Sequence, residues 1–556
     1  MTRHAIFYPK IISTLKEYSS KQFFRDLIAG VIVGIVSVPL AIAFGIASGA
    51  SPTEGIITAI IAGFLISLFG GSRVQIGGPT GAFIVIVYEI IQTHGYAGLL
   101  LETAIGGVFL ILLGFAKLGS LIKFIPEPVI VGFTSGIAVV LFSSQIKDFF
   151  GMPISSLPNP FWEKWVVYFE HVGLISLSST LIGITTIAIV YFVPRFFPRT
   201  PGTFIALLLT TGIVVFFQIP VETVGSRFGA LTLSLSEIHF FNFDFANIKE
   251  LLSPAISITL LGGIESLMCC VIADGMIGGK HRPNTELVAQ GIANVCSSIF
   301  GGLPATGAIA RTVTNIKNGG RTPIAGVIHS IVVLSIVLFF APFLQAVPMA
   351  TIAGILIVVA YNMSEWREFV GLLKFPRADG IIILITFFLT IFVDLIVAIQ
   401  VGVVLSVFLF MKRMSDVSQI KKMQMGEDPD ADKYYSRSTS LSKTEVPEHV
   451  EVFEISGAFF FGASGKFMEV LMSYSGQKKF VILRMNQVFV LDLTGVRMLE
   501  KFAKEAKKAK TKVLFAELHS SCRDVIQRSR LPKIIGEGRF FKTLSDAISY
   551  TKQLTL

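Results

Sequence analysis

Gly78–Ala82 (GPTGA) opens a short apolar stretch of this chain, and Pro304–Ala308 (PATGA) opens another more than two hundred positions later. A glycine pair lies at or just before the start of each copy. The stretches 78–93 and 306–318 are too short to cross a bilayer as whole helices. Either copy alone reads as ordinary turn chemistry. Two copies at matching places in two halves of a chain instead predict paired broken helices around a binding site at the membrane midplane.

Both motifs lie in an apolar region that runs from about residue 26 to 410. Of the 556 residues 52% are hydrophobic and only 15% are charged, whereas soluble proteins average ~25% charged residues. A helix needs about 20 residues to cross the hydrocarbon core, and several of the apolar runs reach that length with their flanks. The predicted segments are 27–49, 55–70, 78–93, 97–117, 127–147, 172–193, 202–218, 253–275, 286–301, 306–318, 321–341, 349–362, 378–394 and 395–413.

These segments form two sets of seven, and each motif opens the third segment of its set. Because seven is odd, two tandem sets must cross the membrane in opposite orientations. The sequence therefore predicts an α-helical membrane protein of about 14 transmembrane segments, arranged as a 7+7 inverted repeat with two half-helices at the midplane. Inverted repeats of this kind are the architecture of many secondary transporters.

The net charge of +10 is concentrated beside the predicted membrane segments. Basic residues precede the first segment, and Lys412 and Arg413 follow the last one. The positive-inside rule then predicts a multi-pass protein of the cell's inner membrane with both termini in the cytoplasm. This placement makes the lipid bilayer the expected partner, and no nucleic acid is expected. The first residues lack the apolar core of a signal peptide.

After residue 413 the chain turns polar. We predict a cytoplasmic N-terminal segment (1–26), a transmembrane transport domain (27–413), a linker (414–446) and a small α/β domain (447–556) with alternating strand-like and helix-like stretches. The four cysteines have no metal spacing, and the sequence has no ATP-binding motif or paired-carboxylate site. We therefore expect no cofactor, no metal and no enzymatic activity.

Together these features resemble the sulfate permease (SulP) family of anion transporters, and the C-terminal domain resembles a STAS domain. The residues that carry the resemblance are Pro39–Phe44, Gly78–Ala82, Gly263–Ser266, Gly301–Arg311, Gly319–Arg321 and Asp492–Gly495. The resemblance implies a core domain that moves against a gate domain in an elevator-like cycle, usually in a homodimer. It also implies substrates such as chloride, bicarbonate, sulfate, oxalate and small dicarboxylates.

Two half-helices that face each other direct free N–H groups and positive dipole ends at one point, which suits an anion. The expected substrate-binding residues are Thr80, Gly81 and Ala82 from one half-helix and Ala310, Arg311 and Thr312 from the other. In relatives, the positions matching 310–312 line the anion site. The position matching Phe44 packs against the anion in relatives, although the residue pattern alone favours simple core packing for Phe44.

Arg311 and Glu265 are charged residues within apolar segments, where a charge is costly. Arg311 either coordinates the anion through its guanidinium fork or forms a structural ion pair with Glu265, and an exchange between the two is also possible. Burial disfavours the charged form of a carboxyl group, so Glu265 is a candidate proton-coupling residue. In a sodium-coupled branch of the family an aspartate stands here, with a threonine one helical turn on. Cys269 occupies that second position and is a poor sodium ligand, which favours protons.

The leading hypothesis is a secondary active transporter of sulfate, bicarbonate or a four-carbon dicarboxylate, coupled to protons as a symporter. Alternatives are an uncoupled exchanger or channel on the same scaffold, and a membrane sensor that signals through the STAS domain. In soluble STAS proteins the turn matching Asp492–Gly495 carries a phosphorylated serine. Thr494 is the hydroxyl available here, as a helix cap or as a regulatory site. A cytoplasmic partner of the STAS domain is also expected.

Overall fold

A computed structural model of the chain describes residues 7–120, 126–154, 157–158, 160–197, 201–230, 248–374, 377–393, 395–422, 446–474 and 478–554. It divides into two units, Met1–Val404 and Leu405–Leu556. Most of the predicted linker, 423–445, lies outside the described residues.

The first unit is helical. Its helices, including the last one, which continues into the second unit, are α1 Lys10–Thr14, α2 Ser20–Ala47, α3 Pro52–Phe69, α4 Ile84–Phe115, α5 Glu127–Phe149, α6 Phe161–Glu170, α7 Leu177–Phe196, α8 Gly202–Phe217, α9 Val224–Phe228, α10 Ile248–Ile277, α11 Pro283–Ile299, α12 Ile309–Lys317, α13 Ile324–Gln345, α14 Met349–Met363, α15 Trp366–Leu373, α16 Arg377–Phe392 and α17 Leu395–Val417.

Nine helical stretches in the described part of the chain are long and apolar enough to span a membrane, and two shorter apolar helices accompany them. The predicted helical membrane fold is thus confirmed. Every predicted segment falls on one of the helices, and the segments 78–93 and 97–117 are joined in α4. The number of membrane crossings stays a prediction.

The helix α4 changes direction at Gly95, where φ is +69°. This left-handed backbone conformation is accessible to glycine at little cost and interrupts the helix between its two predicted segments. A short 3₁₀ turn, Gly81–Phe83, precedes α4. The second short helix, α12, has only nine residues.

Two strands of two residues each join the halves of the first unit. Strand β1 (Gly77–Gly78) pairs antiparallel with β2 (Thr306–Gly307), with Gly77 opposite Gly307 and Gly78 opposite Thr306. Both strands are fully buried. This pairing places the starts of the two short helices beside each other, as the repeated motif predicts.

The second unit contains a five-stranded sheet in the order β3-β4-β5-β6-β7. Its strands are β3 Gln419–Lys422, β4 Val450–Phe459, β5 Phe480–Leu491, β6 Lys512–Ala516 and β7 Phe540–Phe541, and its further helices are α18 Phe461–Tyr474, α19 Leu493–Lys508, α20 Ser520–Gln527, α21 Leu531–Ile535 and α22 Leu544–Gln553. Strand β3 is antiparallel to β4, and the other neighbouring strands are parallel.

Strand β3 lies inside the range predicted to be a linker. The hydroxyl of Ser418 donates to the carbonyl of Ala458 at 3.0 Å and accepts from the amide of Ala458 at 3.1 Å, which ties the chain after α17 to β4. A polar strand with two lysines suits the edge of a sheet, where charge discourages pairing with other chains. The sequence pattern here indicated only polarity, so the strand was missed.

Candidate functional site

The 3₁₀ turn that leads into α4 and the short helix α12 both begin without a side-chain cap. Thr80 and Ala308 occupy the cap positions of the 3₁₀ turn before α4 and of α12, and neither side chain bonds to its own helix. The first N–H groups of a helix have no α-helical partner within it, and in the described part of the chain the cap side chains do not satisfy them. The two N-termini, held together by β1 and β2, therefore offer backbone donors and positive dipole ends in one region.

Arg311 lies in the first turn of α12 and is 1% exposed. Its terminal nitrogens Nη1 and Nη2 have no hydrogen-bond partner among the described residues. An ion pair with Glu265, one of the two alternatives considered for this arginine, is therefore not formed in the described part of the chain. The buried guanidinium therefore keeps two terminal nitrogens that are unpaired among the described residues.

Gly78 leaves the space that Arg311 fills. Its φ is +148°, a conformation that residues with a side chain rarely adopt. A Cβ built on Gly78 would overlap Nη1 of Arg311. The absence of a side chain at Gly78 thus leaves the room that the guanidinium of Arg311 occupies.

Thr80 is predicted to donate to the anion, but its hydroxyl has another partner. Oγ1 of Thr80 donates to Oε2 of Glu265 at 2.9 Å. Glu265 is partly buried on α10. The carboxyl group therefore lies beside the turn that leads into α4, and it does not pair with Arg311 in the described part of the chain.

Thr312 also has structural partners. Its Oγ1 accepts from the amide of Ile76 at 3.0 Å and from Sγ of Cys269 at 3.3 Å. The backbone amide of Ala308 donates to the carbonyl of Ile76 at 2.8 Å. The hydroxyl of Thr312 thus fixes α12 against the residue that precedes β1, so its role in the structure is to position this half-helix.

The remaining predicted residues surround the same region. A Cβ placed on Gly81 would lie 3.7 Å from Cε1 of Phe44 and closer still to Sδ of Met363. Phe44 and Ala82 are buried. Ala310, next to Arg311, is exposed although it lies in the short helix at the centre of the unit. Phe44, Gly81 and Ala82 therefore lie close together, and Ala310 is exposed beside the buried Arg311.

A buried polar network behind the site was missed by sequence reasoning. Gln75 donates through Nε2 to Oγ of Ser266 at 2.9 Å, and Ser266 donates to Oε1 of Glu286 at 3.0 Å. The amide of Gly71 donates to Oε2 of Glu286 at 2.7 Å. These bonds connect α10 and α11 to the segment before β1. The sequence signal for this network was Glu286, a glutamate in the first turn of α11.

No group of three or more His, Cys, Asp or Glu residues that could hold a metal ion occurs in the part of the chain that the structure describes. In the second unit, Asp492 caps α19 by accepting from the amide of Gly495 at 2.7 Å. The capping role considered for Thr494 is therefore filled by Asp492. Thr494 is exposed, so its hydroxyl is open to solvent.

Comparison with known proteins gives the family. The model of the sulfate permease family matches residues 23–386, and the STAS domain model matches residues 442–547. The "Putative sulfate transporter YvdB" of Bacillus subtilis is 40% identical over 95% of this chain and 97% of its own length. The "Bicarbonate transporter BicA" of Picosynechococcus is 30% identical over 81% of each chain.

Two solved structures share the fold. The transmembrane domain of a cyanobacterial BicA matches with a TM-score of 0.62 and 30% identity, over 70% of this chain and 98% of that one. Murine Slc26a9 in its inward-facing state matches with a TM-score of 0.87 and 17% identity, over 98% and 94%.

Fold and site together define a multi-pass membrane transporter of anions. The chain belongs to the sulfate permease family and carries a C-terminal STAS domain. Its relatives are named transporters, and it is a transporter and not an enzyme.

Proposed function

We propose that the chain is a secondary active transporter that moves a small oxyanion together with protons, and that Arg311 binds the anion. The observation that carries this proposal is the buried guanidinium whose two terminal nitrogens have no partner among the described residues. An unpaired charge inside a membrane protein costs several kcal/mol, on the order of 2.5 or more. An anion between the two helix N-termini removes that cost.

Glu265 is proposed as the proton carrier. It accepts one hydrogen bond, from Thr80, and is not held by Arg311. A carboxyl group in this position can therefore gain and lose a proton while the arginine remains available to the anion. Binding a proton and an anion together also keeps the net charge of the site nearly unchanged, which favours their joint movement.

The substrate class is proposed from the site and from the relatives. A guanidinium fork matches the paired oxygens of sulfate, bicarbonate or a carboxylate. The relatives are named for sulfate and bicarbonate. Sulfate and bicarbonate are therefore the first candidates, and a four-carbon dicarboxylate is the third.

The mode of transport is proposed from the family. A core domain carrying Phe44, Thr80, Gly81, Ala82, Ala310, Arg311 and Thr312 would move against a gate domain within a homodimer. The protein would lie in the cell's inner membrane with both termini in the cytoplasm. Thr494 and a cytoplasmic partner of the STAS domain would then regulate transport.

The test is uptake into liposomes that contain the purified full-length protein. Sulfate, bicarbonate and fumarate are compared with and without an inward proton gradient, and with sodium replaced by potassium. Arg311→Ala and Glu265→Gln are measured beside the parent. Glu250→Gln, which changes an exposed glutamate of the same helix, and Arg195→Ala, which removes another arginine from an apolar helix, are the matched controls.

We expect one anion to be taken up in response to the proton gradient, independently of sodium. Arg311→Ala should abolish this uptake, Glu265→Gln should uncouple it from protons, and both controls should transport like the parent. Flux that ignores the gradient would identify an exchanger or channel and remove Glu265 as the coupling group. Absence of flux of all three anions, with folded protein in the membrane, would favour a sensor.

A further inference from the structure

A cavity of about 320 Å³ lies at the opposite end of α2 from the charged N-terminal segment. Its walls come from the ends of α2 and α5, the first half of α4, and the helices α6 and α9. The lining residues used below are Ile84, Tyr88, Lys147, Asp148, Lys164 and Arg227. In the proposed topology this is the outer side of the membrane.

Lys164 projects from α6 toward this cavity and is only 7% exposed. Its Nζ lies 5.6 Å from the centre of the Tyr88 ring, on the opposite wall. No carboxylate among the described residues pairs with it, and burial lowers the pKa of Lys164 with no opposing acidic neighbour. A buried ammonium group without a counter-charge is costly, and an anion in the adjacent space would compensate for it.

The other charged groups of the cavity do not neutralise Lys164. Asp148 pairs with Arg227 at 2.7 Å, and Arg227 also pairs with Glu222. The one acidic residue of the lining is thus committed to an arginine. Lys147 contributes a further positive charge to the wall.

We propose that this cavity is a second anion-binding site, in which Lys164 and Lys147 hold a small inorganic anion on its way to or from Arg311. The position fits such a path, since Ile84 belongs to the cavity wall and lies one helical turn from Thr80. Tyr88 is eight residues from Thr80, or about 12 Å along a helix. The inference extends the proposed function, because it assumes that a small anion is the substrate.

The test measures the anion-dependent rise in the midpoint of thermal unfolding of the full-length protein. Sulfate and bicarbonate are titrated separately, at constant ionic strength balanced with gluconate. The variants are Lys164→Met, Lys164→Arg, Arg311→Ala and the double variant of Lys164→Met with Arg311→Ala. Lys249→Met removes an exposed lysine from the same proposed side and is the control.

We expect either anion to raise the midpoint by on the order of 1–3 °C in Arg311→Ala, through the second site alone. The double variant should lose this remaining rise, and combining Lys164→Arg with Arg311→Ala should retain it. The Lys249→Met control should behave like the parent. In uptake assays, Lys164→Met should raise KM roughly tenfold while the maximal rate is kept, because electrostatic capture is lost.

The second anion site and the proposed role of Arg311 are contradicted by different outcomes of this test. If Arg311→Ala removes the whole anion-dependent rise, or if the rise persists in the double variant, the second site is wrong. If Lys164→Met alone removes the rise and Arg311→Ala leaves it unchanged, the second site stands and the proposed role of Arg311 is wrong.

Discussion

Thr80 and Glu265 share a 2.9 Å hydrogen bond that joins the start of α4 to the middle of α10. Thr80 belongs to the first predicted set of seven segments and Glu265 to the second. Thr80, which precedes the turn that leads into α4, is the one hydrogen-bond partner of the Glu265 side chain among the described residues.

Replacing Thr80 by Val keeps the shape of the side chain and removes the hydroxyl. Glu265 then loses its donor, and an unsatisfied partly buried group costs about 1–3 kcal/mol. We expect proton-driven uptake to fall by about tenfold, measured in proteoliposomes. Thr80→Ser, which keeps the donor, should retain most of the uptake. Equal rates in Thr80→Val and the parent would show that the bond has no part in coupling.

Gly78→Ala tests the packing of Arg311. The added Cβ would overlap Nη1 of Arg311, and the backbone at φ +148° would be strained by about 1–3 kcal/mol. We expect uptake to fall more than tenfold and the thermal midpoint to drop. Gly212→Ala adds the same methyl group to α8, where nothing lies within 4 Å, and should leave both unchanged. A fully active Gly78→Ala would mean that Arg311 can move away without loss.

Much of this arrangement was predictable because the motif occurs twice. The paired GPTGA and PATGA stretches predicted that two helix starts would meet, and β1 and β2 do pair there. The partners of individual side chains were not predictable. Thr80 bonds to Glu265, and Thr312 bonds to Ile76. These contacts depend on how α10 and α12 are rotated about their axes, and the spacing of residues in the sequence does not specify that rotation.

Two other features were missed for a related reason. Lys164 lies in the amphipathic helix α6 between apolar segments, and the sequence pattern there predicts a solvent-exposed lysine. Gln419–Lys422 reads as linker because an edge strand needs no apolar pattern. In both cases the environment comes from distant segments of the chain, and a local pattern carries no information about it.

The cap of α19 gives a prediction for the second unit. Asp492 accepts from the amide of Gly495 at 2.7 Å and from that of Phe461 at 3.1 Å. Asp492→Ala should lower the free energy of unfolding of this unit by about 0.5–2 kcal/mol. Hydrogen exchange of the α19 amides in the full-length protein measures this loss.

Thr494→Val is the control for the cap, because the exposed Thr494 is not the capping residue. It should change the stability by less than about 0.5 kcal/mol. Equal losses in both variants would contradict the assignment of Asp492 as the cap.

Tyr18 gives a pH-dependent prediction. Burial, with the neighbouring carboxylate of Asp26, raises the pKa of Tyr18 to about 12. A raised pKa means that the folded protein binds this proton more tightly, so the contribution to stability is present below about pH 10 and is lost as the pH rises toward 12. The tyrosinate absorbance of the parent minus that of Tyr18→Phe should show one group that ionises near pH 12. A difference centred at pH 10 would contradict the prediction.

The short pairing of β1 with β2 also bears on how the protein is made. Strand β1 leaves the ribosome about 230 residues before its partner, so at about 5–20 residues per second it waits roughly 10–50 s. In the proposed topology the first half then lies in the bilayer while Gly77 and Gly78 lack their partners in β2, a state that membranes penalise. The insertion machinery or surrounding helices must shelter this segment until Thr306 and Gly307 arrive. A nascent chain that ends before residue 306 is therefore a natural substrate for membrane quality control.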